Sequence, residues 1–232
     1  MIITIDGPAG SGKSTAARGL ARRLGFEYLD TGAMYRAVAL AFLREFNHAE
    51  TTEEQRAAFL KTLRLEMQPG RVLLDGEDVS AEIRTPQVTA AAAKTAALMD
   101  VRRFLIEQQR VIAAGRDIVC EGRDQGTVVF PNAMCKFYFA ADLDERTRRR
   151  LKELEERGHR AEFMDVREEI RRRDEQDSSA ETGRLPAPDA HHVDTTGKSP
   201  ENVLDEMEAY FRLCVNSSKP YSTNSSTGPS AS

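Results

Sequence analysis

A chain of 232 residues with 40% hydrophobic content is long enough for one α/β core with modest insertions and short for two independent catalytic domains. Its 33 Lys and Arg against 37 Asp and Glu leave a formal net charge of -4 with the signs interleaved, which excludes a global basic field for nucleic acid or an anionic membrane; any anion site must be local. Cys120, Cys135 and Cys214 are odd in number, widely spaced and without a Cys-x-x-Cys pattern, the N-terminal apolar run is too short for a signal peptide, and no stretch approaches a membrane span. Together these features predict a soluble, cytoplasmic protein with reduced, space-filling thiols.

In chain order, Ile2-Ile3-Thr4-Ile5 reads as a buried strand that passes into a glycine-rich turn and then a helical pattern at Ala17, Leu20, Ala21 and Leu24, stopped by Gly25. A second strand, Phe26 to Leu29, leads through Asp30-Thr31-Gly32 into a helix from about Ala33 to Phe46, and Thr52-x-x-Gln55 is a capping box for another helix. Strands alternating with helices predict a parallel sheet covered on both faces. Between about Leu63 and Ile83 the period falls to two, with turns at Pro69-Gly70 and Asp75-Gly76, which predicts a small antiparallel insertion. Helix returns over Val88 to Leu98 and at Val101, Phe104, Leu105, Gln108, Val111 and Ile112. The buried strand Ile118-Val119-Cys120 then places Gly122-Arg123-Asp124 at a strand's carboxyl end, where open α/β sheets bind ligands.

Lys136 to Ala140 reads as a further strand, and Asp142 or Asp144 caps a charged helix to about Arg157. A second arginine-bearing helix, about Asp165 to Asp177, completes a polar hairpin with little apolar face, the pattern of a mobile lid. His191-His192-Val193-Asp194 is the last strand, and Ser199-Pro200-Glu201 opens a final helix whose buried stripe is Val203, Leu204, Met207, Tyr210, Phe211 and Cys214. The expected organisation is one domain over residues 1–215, with an insert at about 63–85 and a lid at about 144–180, followed by a disordered tail at 216–232.

Gly7-Pro8-Ala9-Gly10-Ser11-Gly12-Lys13-Ser14 satisfies the P-loop pattern, with a strand before it and a helix after it. Backbone N–H groups of such a loop turn toward phosphate oxygens, Lys13 supplies charge at the β and γ positions, and Ser14 can ligate Mg²⁺. Lys13 is expected to be exposed to ligand and to pack nothing. The chain lacks the Asn-Lys-x-Asp that would read guanine, so a GTPase falls well behind. Arg36, on the first turn after strand two, can hold an acceptor phosphate facing the P-loop; taken alone it would be an ordinary surface arginine. Arg123 beside Asp124 at a strand end suits clamping a phosphate and accepting a base amino group. Arg102 could read an acceptor on the same base, with a solvated helix arginine as the competing reading.

These residues resemble bacterial cytidylate kinases. The likeness is carried by Ile-Asp-Gly-Pro at 5 to 8 with the P-loop, Asp30-Thr31-Gly32-Ala33-Met34-Tyr35-Arg36, Asp75-Gly76-Glu77-Asp78-Val79-Ser80 with Ile83-Arg84-Thr85, Gly122-Arg123-Asp124-x-Gly126-Thr127-Val128-Val129-Phe130-Pro131, and Arg173-Asp174-x-x-Asp177. It runs through nearly the whole chain to about Ala209. It implies an α/β P-loop NTPase three-layer fold with a parallel central sheet, a small antiparallel nucleotide-binding insertion and a helical lid.

The activity implied is transfer of the γ-phosphate of ATP to CMP or dCMP, with Mg²⁺, by a monomer that uses neither nucleic acid nor membrane. Gly7, Pro8, Ala9, Gly10, Ser11, Gly12, Lys13, Ser14 and Thr15 become the ATP site, and Lys13, Arg36 and Arg123 the catalytic set. Thr31, Tyr35, Arg36, Arg102, Arg123 and Asp124 contact the acceptor, and Arg173 and Asp177 reach it from the lid, Asp177 toward the ribose. Two positions depart from the family pattern. Ala93 stands where many relatives have a serine near the base, and Ala180 where many have a third phosphate-binding arginine, for which Arg184 could compensate. The alternatives are a kinase for another monophosphate, such as UMP or AMP, and a non-catalytic ATP-binding regulator. Arg146, Arg148, Arg149 and Arg150 share a helix with Glu153, Glu155 and Glu156, so they read as a solvated face with some ATP-closing arginines. Adjacent on one strand, His191 and His192 point to opposite faces and read as structural.

Overall fold

The apolar runs that alternate with helical segments form a five-stranded parallel sheet in the computed structural model, which describes residues 1–47, 49–156, 158–178 and 185–217. The strands are β1 (Ile2–Asp6), β2 (Glu27–Asp30), β3 (Leu65–Gln68), β4 (Arg71–Leu74), β5 (Glu77–Asp78), β6 (Ile118–Gly122), β7 (Cys135–Ala140) and β8 (His191–Asp194). The central sheet has the order β2-β6-β1-β7-β8, while β3, β4 and β5 form a separate antiparallel sheet at the expected insertion. Register decides where the chemistry emerges. Asp6 lies opposite both Gly122 and Tyr138, so the loops after β1 and β6 leave the sheet side by side at its carboxyl edge.

The helices are α1 (Lys13–Leu24), α2 (Thr31–Phe46), α3 (Glu53–Thr62), α4 (Pro86–Thr95), α5 (Met99–Ala113), α6 (Leu143–Glu156), α7 (Phe163–Ser178) and α8 (Pro200–Ser217). They divide the core into two faces, as the two-residue period of a strand requires. Ile118 and Cys120 of β6 pack with α2, α4 and α5, whereas Val119 between them packs with α1 and α8. On that second face α1 and α8 lie close. A Cβ added to Gly19 would sit 2.7 Å from Leu204 Cδ1. One turn further on, Arg23 donates to Asp205 at 2.8 Å and Glu208 at 3.1 Å and also meets Glu201.

Several boundaries move for local reasons. α2 starts at Thr31, two residues before the expected position, because the Asp30 carboxylate accepts from Ala33 N at 2.7 Å and caps the helix there. The alanine-rich stretch does not run to Leu98: Thr85 and Pro86 open α4 early, and extended Leu98 separates it from α5. α8 continues through Asn216 and Ser217, with the Ser217 hydroxyl donating to Leu213 O, so the first two residues of the expected tail are helical. Residues 218–232 lie outside the described residues, as do Ala180 and Arg184. Of the two helices of the expected lid, α7 carries a small apolar face after all, since its Val166 and Ile170 are buried.

All three cysteines are free thiols, but Cys135 and Cys214, 79 residues apart in sequence, bring their sulfurs to 2.6 Å. His191 stacks on Tyr210 at 4.2 Å between ring centroids, and His192 tilts against Tyr138, so both histidines serve packing. Among the described residues no helix is long and apolar enough to cross a membrane, and no group of three His, Cys, Asp or Glu side chains could hold a metal ion.

Candidate active site

A cleft of about 350 Å³ opens where β1, β2 and β6 end and α6 and α7 cover them. The loop after β1 supplies one wall. Gly7 (φ 144°), Gly10 (φ 75°) and Gly12 (φ 89°) occupy backbone regions that favour glycine, and at Gly7 a Cβ would also collide with the backbone oxygen of Phe139. Ala9, Gly10, Gly12, Lys13, Ser14 and Thr15 line the cleft, whereas Gly7, Pro8 and Ser11 frame it from behind. Lys13 faces the cleft as expected, but it does not pack nothing. It is buried, donating to Pro8 O at 2.6 Å. Burial, reinforced by the Arg123 guanidinium, lowers its ammonium pKa to about 7.

The loop after β6 supplies the opposite wall, and its shape depends on Asp6. Both Asp6 carboxylate oxygens accept backbone N–H groups, from Gln125 at 2.9 Å and Gly126 at 2.8 Å, which tie the π-helical turn Gln125–Val129 to the end of β1. Burial pushes the Asp6 carboxyl up to about 6 against the pull of those N–H groups. Asp124, at the entry to this turn, accepts from Arg102 at 2.6 Å, and each of the two side chains is only 7% exposed. The structure therefore gives Arg102 a buried carboxylate partner and excludes the solvated-helix reading.

Arg36 and Arg123 reach the same space from α2 and β6. Arg36 lies 3.5 Å from Asp30, burial lowers its basicity, and its Nε has no hydrogen-bond partner among the described residues. Arg123 donates to Asp177 of the lid at 2.8 Å and to Gly122 O at 3.1 Å. Arg173 also faces the cleft, its basicity lowered by burial and by the nearby Arg123 charge. Thr31 donates its hydroxyl to Glu121 O at 2.7 Å. Thr31, Tyr35, Arg36, Arg102, Arg123, Asp124, Arg173 and Asp177 thus all line one cavity with the P-loop residues. Ala93 is on its wall too, with Ala92 and Ala96, and the hydroxyl on that stretch of helix comes from Thr89, one turn earlier.

Two contributors were missed in the sequence. Glu121 takes the Ser14 hydroxyl and accepts from Tyr28 OH at 3.0 Å, which puts a carboxylate and a hydroxyl together beside the P-loop. A hard cation takes such oxygen donors. The available signal was an acid ending an otherwise apolar buried strand. Arg146, read with its neighbours as part of a solvated face with some ATP-closing arginines and not singled out, is buried: it donates to Ala9 O at 3.3 Å and to Asp174 of α7 at 2.7 Å, joining the P-loop to α7.

Residues 3–213 match the family model for cytidylate kinase. The cytidylate kinase of Rhodopirellula baltica is 46% identical over 226 residues, covering 97% of this chain and 98% of its own. That of Caldanaerobacter subterraneus subsp. tengcongensis is 45% identical over 211 residues, covering 90% and 94%. In fold alone, the chain is similar to an uncharacterized protein from Eubacterium ventriosum whose crystal structure is 12% identical, with a TM-score of 0.51 over 91% of this chain and 98% of that one.

Proposed function

The chain belongs to the cytidylate kinase family, and on that premise we propose that it transfers the γ-phosphate of ATP to CMP or dCMP, giving ADP and CDP or dCDP. The observation that carries this reading is one cleft holding both a P-loop and the acceptor set Arg36, Arg102, Arg123 and Asp124. A pure ATP-binding regulator has no need of the second group.

An oxygen of the acceptor monophosphate attacks the γ-phosphorus, and the bond to the β–γ bridging oxygen breaks to release ADP. The nucleophile is already anionic at neutral pH, so no general base is required. Catalysis rests on alignment and charge neutralisation. Lys13 and the P-loop N–H groups hold the donor phosphates, and Arg36 and Arg123 turn the acceptor phosphate toward them. Asp124 accepts the cytosine amino group, and Arg102 donates to the ring carbonyl and nitrogen. Asp177 and Arg173 descend with the lid, Asp177 toward the ribose. Arg123 also donates to Asp177, so the acceptor phosphate shares this guanidinium with a lid carboxylate. The Ser14 hydroxyl and the Glu121 carboxylate fit Mg²⁺, which usually keeps few protein ligands and shares the substrate's phosphate oxygens. When bound there, the ion neutralises charge on the β- and γ-phosphates. Composition and the single shared cleft support a cytoplasmic monomer acting on free nucleotides.

The test is ADP release with ATP and Mg²⁺ against a panel of CMP, dCMP, UMP and AMP. CMP and dCMP should give the highest kcat/KM. Release independent of the acceptor, or a preference for UMP or AMP, would overturn the reading.

A further inference from the structure

We infer that Thr195, in the loop between β8 and α8, is a positioning residue for the donor phosphates, acting through the Ser11–Gly12 peptide of the P-loop. The inference rests on the reading of that loop as the donor site. Thr195 is 184 residues from Ser11 in sequence, yet its Oγ1 lies 3.0 Å from Ser11 O, and the side chain is buried.

The hydrogen-bond inventory fixes which way this hydroxyl points. Arg149 Nη1 lies 3.0 Å from Thr195 Oγ1, while its Nη2 donates to Thr195 O at 2.7 Å and its Nε to Glu145 at 3.1 Å. A guanidinium only donates, so the hydroxyl must accept from Arg149 and aim its own proton elsewhere. Two carbonyls are within reach, Ser11 O at 3.0 Å and Ala140 O at 3.2 Å. Ala140 O already accepts Thr195 N–H at 2.9 Å. Ser11 O is the nearer acceptor and Ala140 O already has one donor, so the stronger bond is the one to Ser11 O.

A planar trans peptide converts that bond into an orientation. The chain has no cis peptide among the described residues, so the Ser11 C=O and the Gly12 N–H point in opposite directions. Holding the carbonyl outward on Thr195 turns the Gly12 N–H toward the cleft that Gly12 lines. Gly12 sits at φ 89° and, without a Cβ, would otherwise let this peptide swing. Neighbouring peptides are anchored likewise, Pro8 O by Ser11 Oγ and Lys13, and Ala9 O by Arg146. Thr195 completes the set from the far end of the chain.

The experiment compares wild type with Thr195→Val, which keeps the shape and removes the hydroxyl, and Thr195→Ser, which keeps the hydroxyl. ADP affinity is read by titration calorimetry and CMP KM by initial rates. Losing the bond and stranding a buried carbonyl should weaken ADP binding about five- to fiftyfold in Thr195→Val. CMP KM should stay within about twofold, and Thr195→Ser should restore ADP binding to within about threefold. Should the valine variant fail to fold, Thr195→Ala makes the same comparison without its bulk. Wild-type ADP affinity in a folded variant without the hydroxyl overturns the inference. So does a parallel loss of ADP and CMP binding that serine does not rescue. A wild-type protein that binds no ADP would instead defeat the reading of the donor site.

Discussion

Asp124→Asn tests how the base is chosen. In the structure this carboxylate is 2.6 Å from Arg102 with both side chains 7% exposed, so its charge is neither screened nor replaceable by water. Facing CMP, it accepts from the cytosine amino group. Facing UMP, it meets a carbonyl, and two acceptors confront each other in a dry site. A charge-assisted hydrogen bond is worth about 1.5–3 kcal/mol, so wild type should discriminate at this atom by roughly ten- to a hundredfold. Asparagine carries both a donor and an acceptor and can turn its amide to either base, which should remove most of that factor. The substitution also leaves Arg102 as a buried cation without its charge partner, a change that costs about 3–5 kcal/mol when such a pair is broken. Absolute activity and Tm should therefore fall. The ratio of kcat/KM for CMP to that for UMP cancels the loss of folded protein, because both are measured on the same preparation. Initial rates of ADP release at saturating ATP give the ratio directly. A folded Asp124→Asn protein whose ratio moves by less than about twofold would refute the reasoning and place base recognition elsewhere.

Lys13→Met should lower kcat by at least about a hundredfold while leaving Tm close to wild type, because the lost ammonium was buried at a cost and methionine fills the same space; near-normal turnover in the folded variant would count against the donor assignment. The same lysine predicts a pH effect. Its free-state pKa is lowered to about 7, and bound phosphates favour the charged form, so ADP binding should take up a proton above about pH 7 and weaken as pH rises. Calorimetry in buffers of different ionisation enthalpy measures the uptake, and none at pH 8 would contradict it. Gly7→Ala should destabilise the protein by at least about 2 kcal/mol in denaturant titration, since it combines a φ of 144° with a collision against the Phe139 backbone. An unchanged midpoint would show that the loop relaxes more easily than its geometry implies.

What the sequence disclosed depended on how local each signal was. The P-loop was legible because pattern, preceding strand and following helix all lie within some two dozen residues, and Arg123 and Asp124 because they directly follow a buried strand. The parallel sheet also followed from alternating strands and helices, but its order β2-β6-β1-β7-β8 did not, because no local pattern specifies which strands are neighbours. Other features depend on pairings that no local pattern encodes. Arg149 pairs with Glu145 as its neighbour Arg148 does, and Arg146 stands on the same charged helix, so only the placement of α6 against the P-loop separates Arg146 and Arg149 from a solvated face. Thr195 stands in Asp-Thr-Thr-Gly, which reads as a turn, and its partner is at the other end of the chain. Lys13 was expected to pack nothing, whereas a cradle of backbone can leave a side chain facing a cleft and still bury it.

The close approach of Gly19 to Leu204 bears on how force and motion travel through the molecule. α1 begins at the lysine and serine proposed above to hold the donor phosphates, and further along the same helix its backbone rests on α8, with Arg23 hooked to three α8 carboxylates. A helix is stiff along its axis, so a tug on its first turn is delivered to whatever grips its far end. A side chain grown at Gly19 would therefore press α1 off α8, and the strain would fall on the helix that begins at the P-loop without touching a single residue of the cleft.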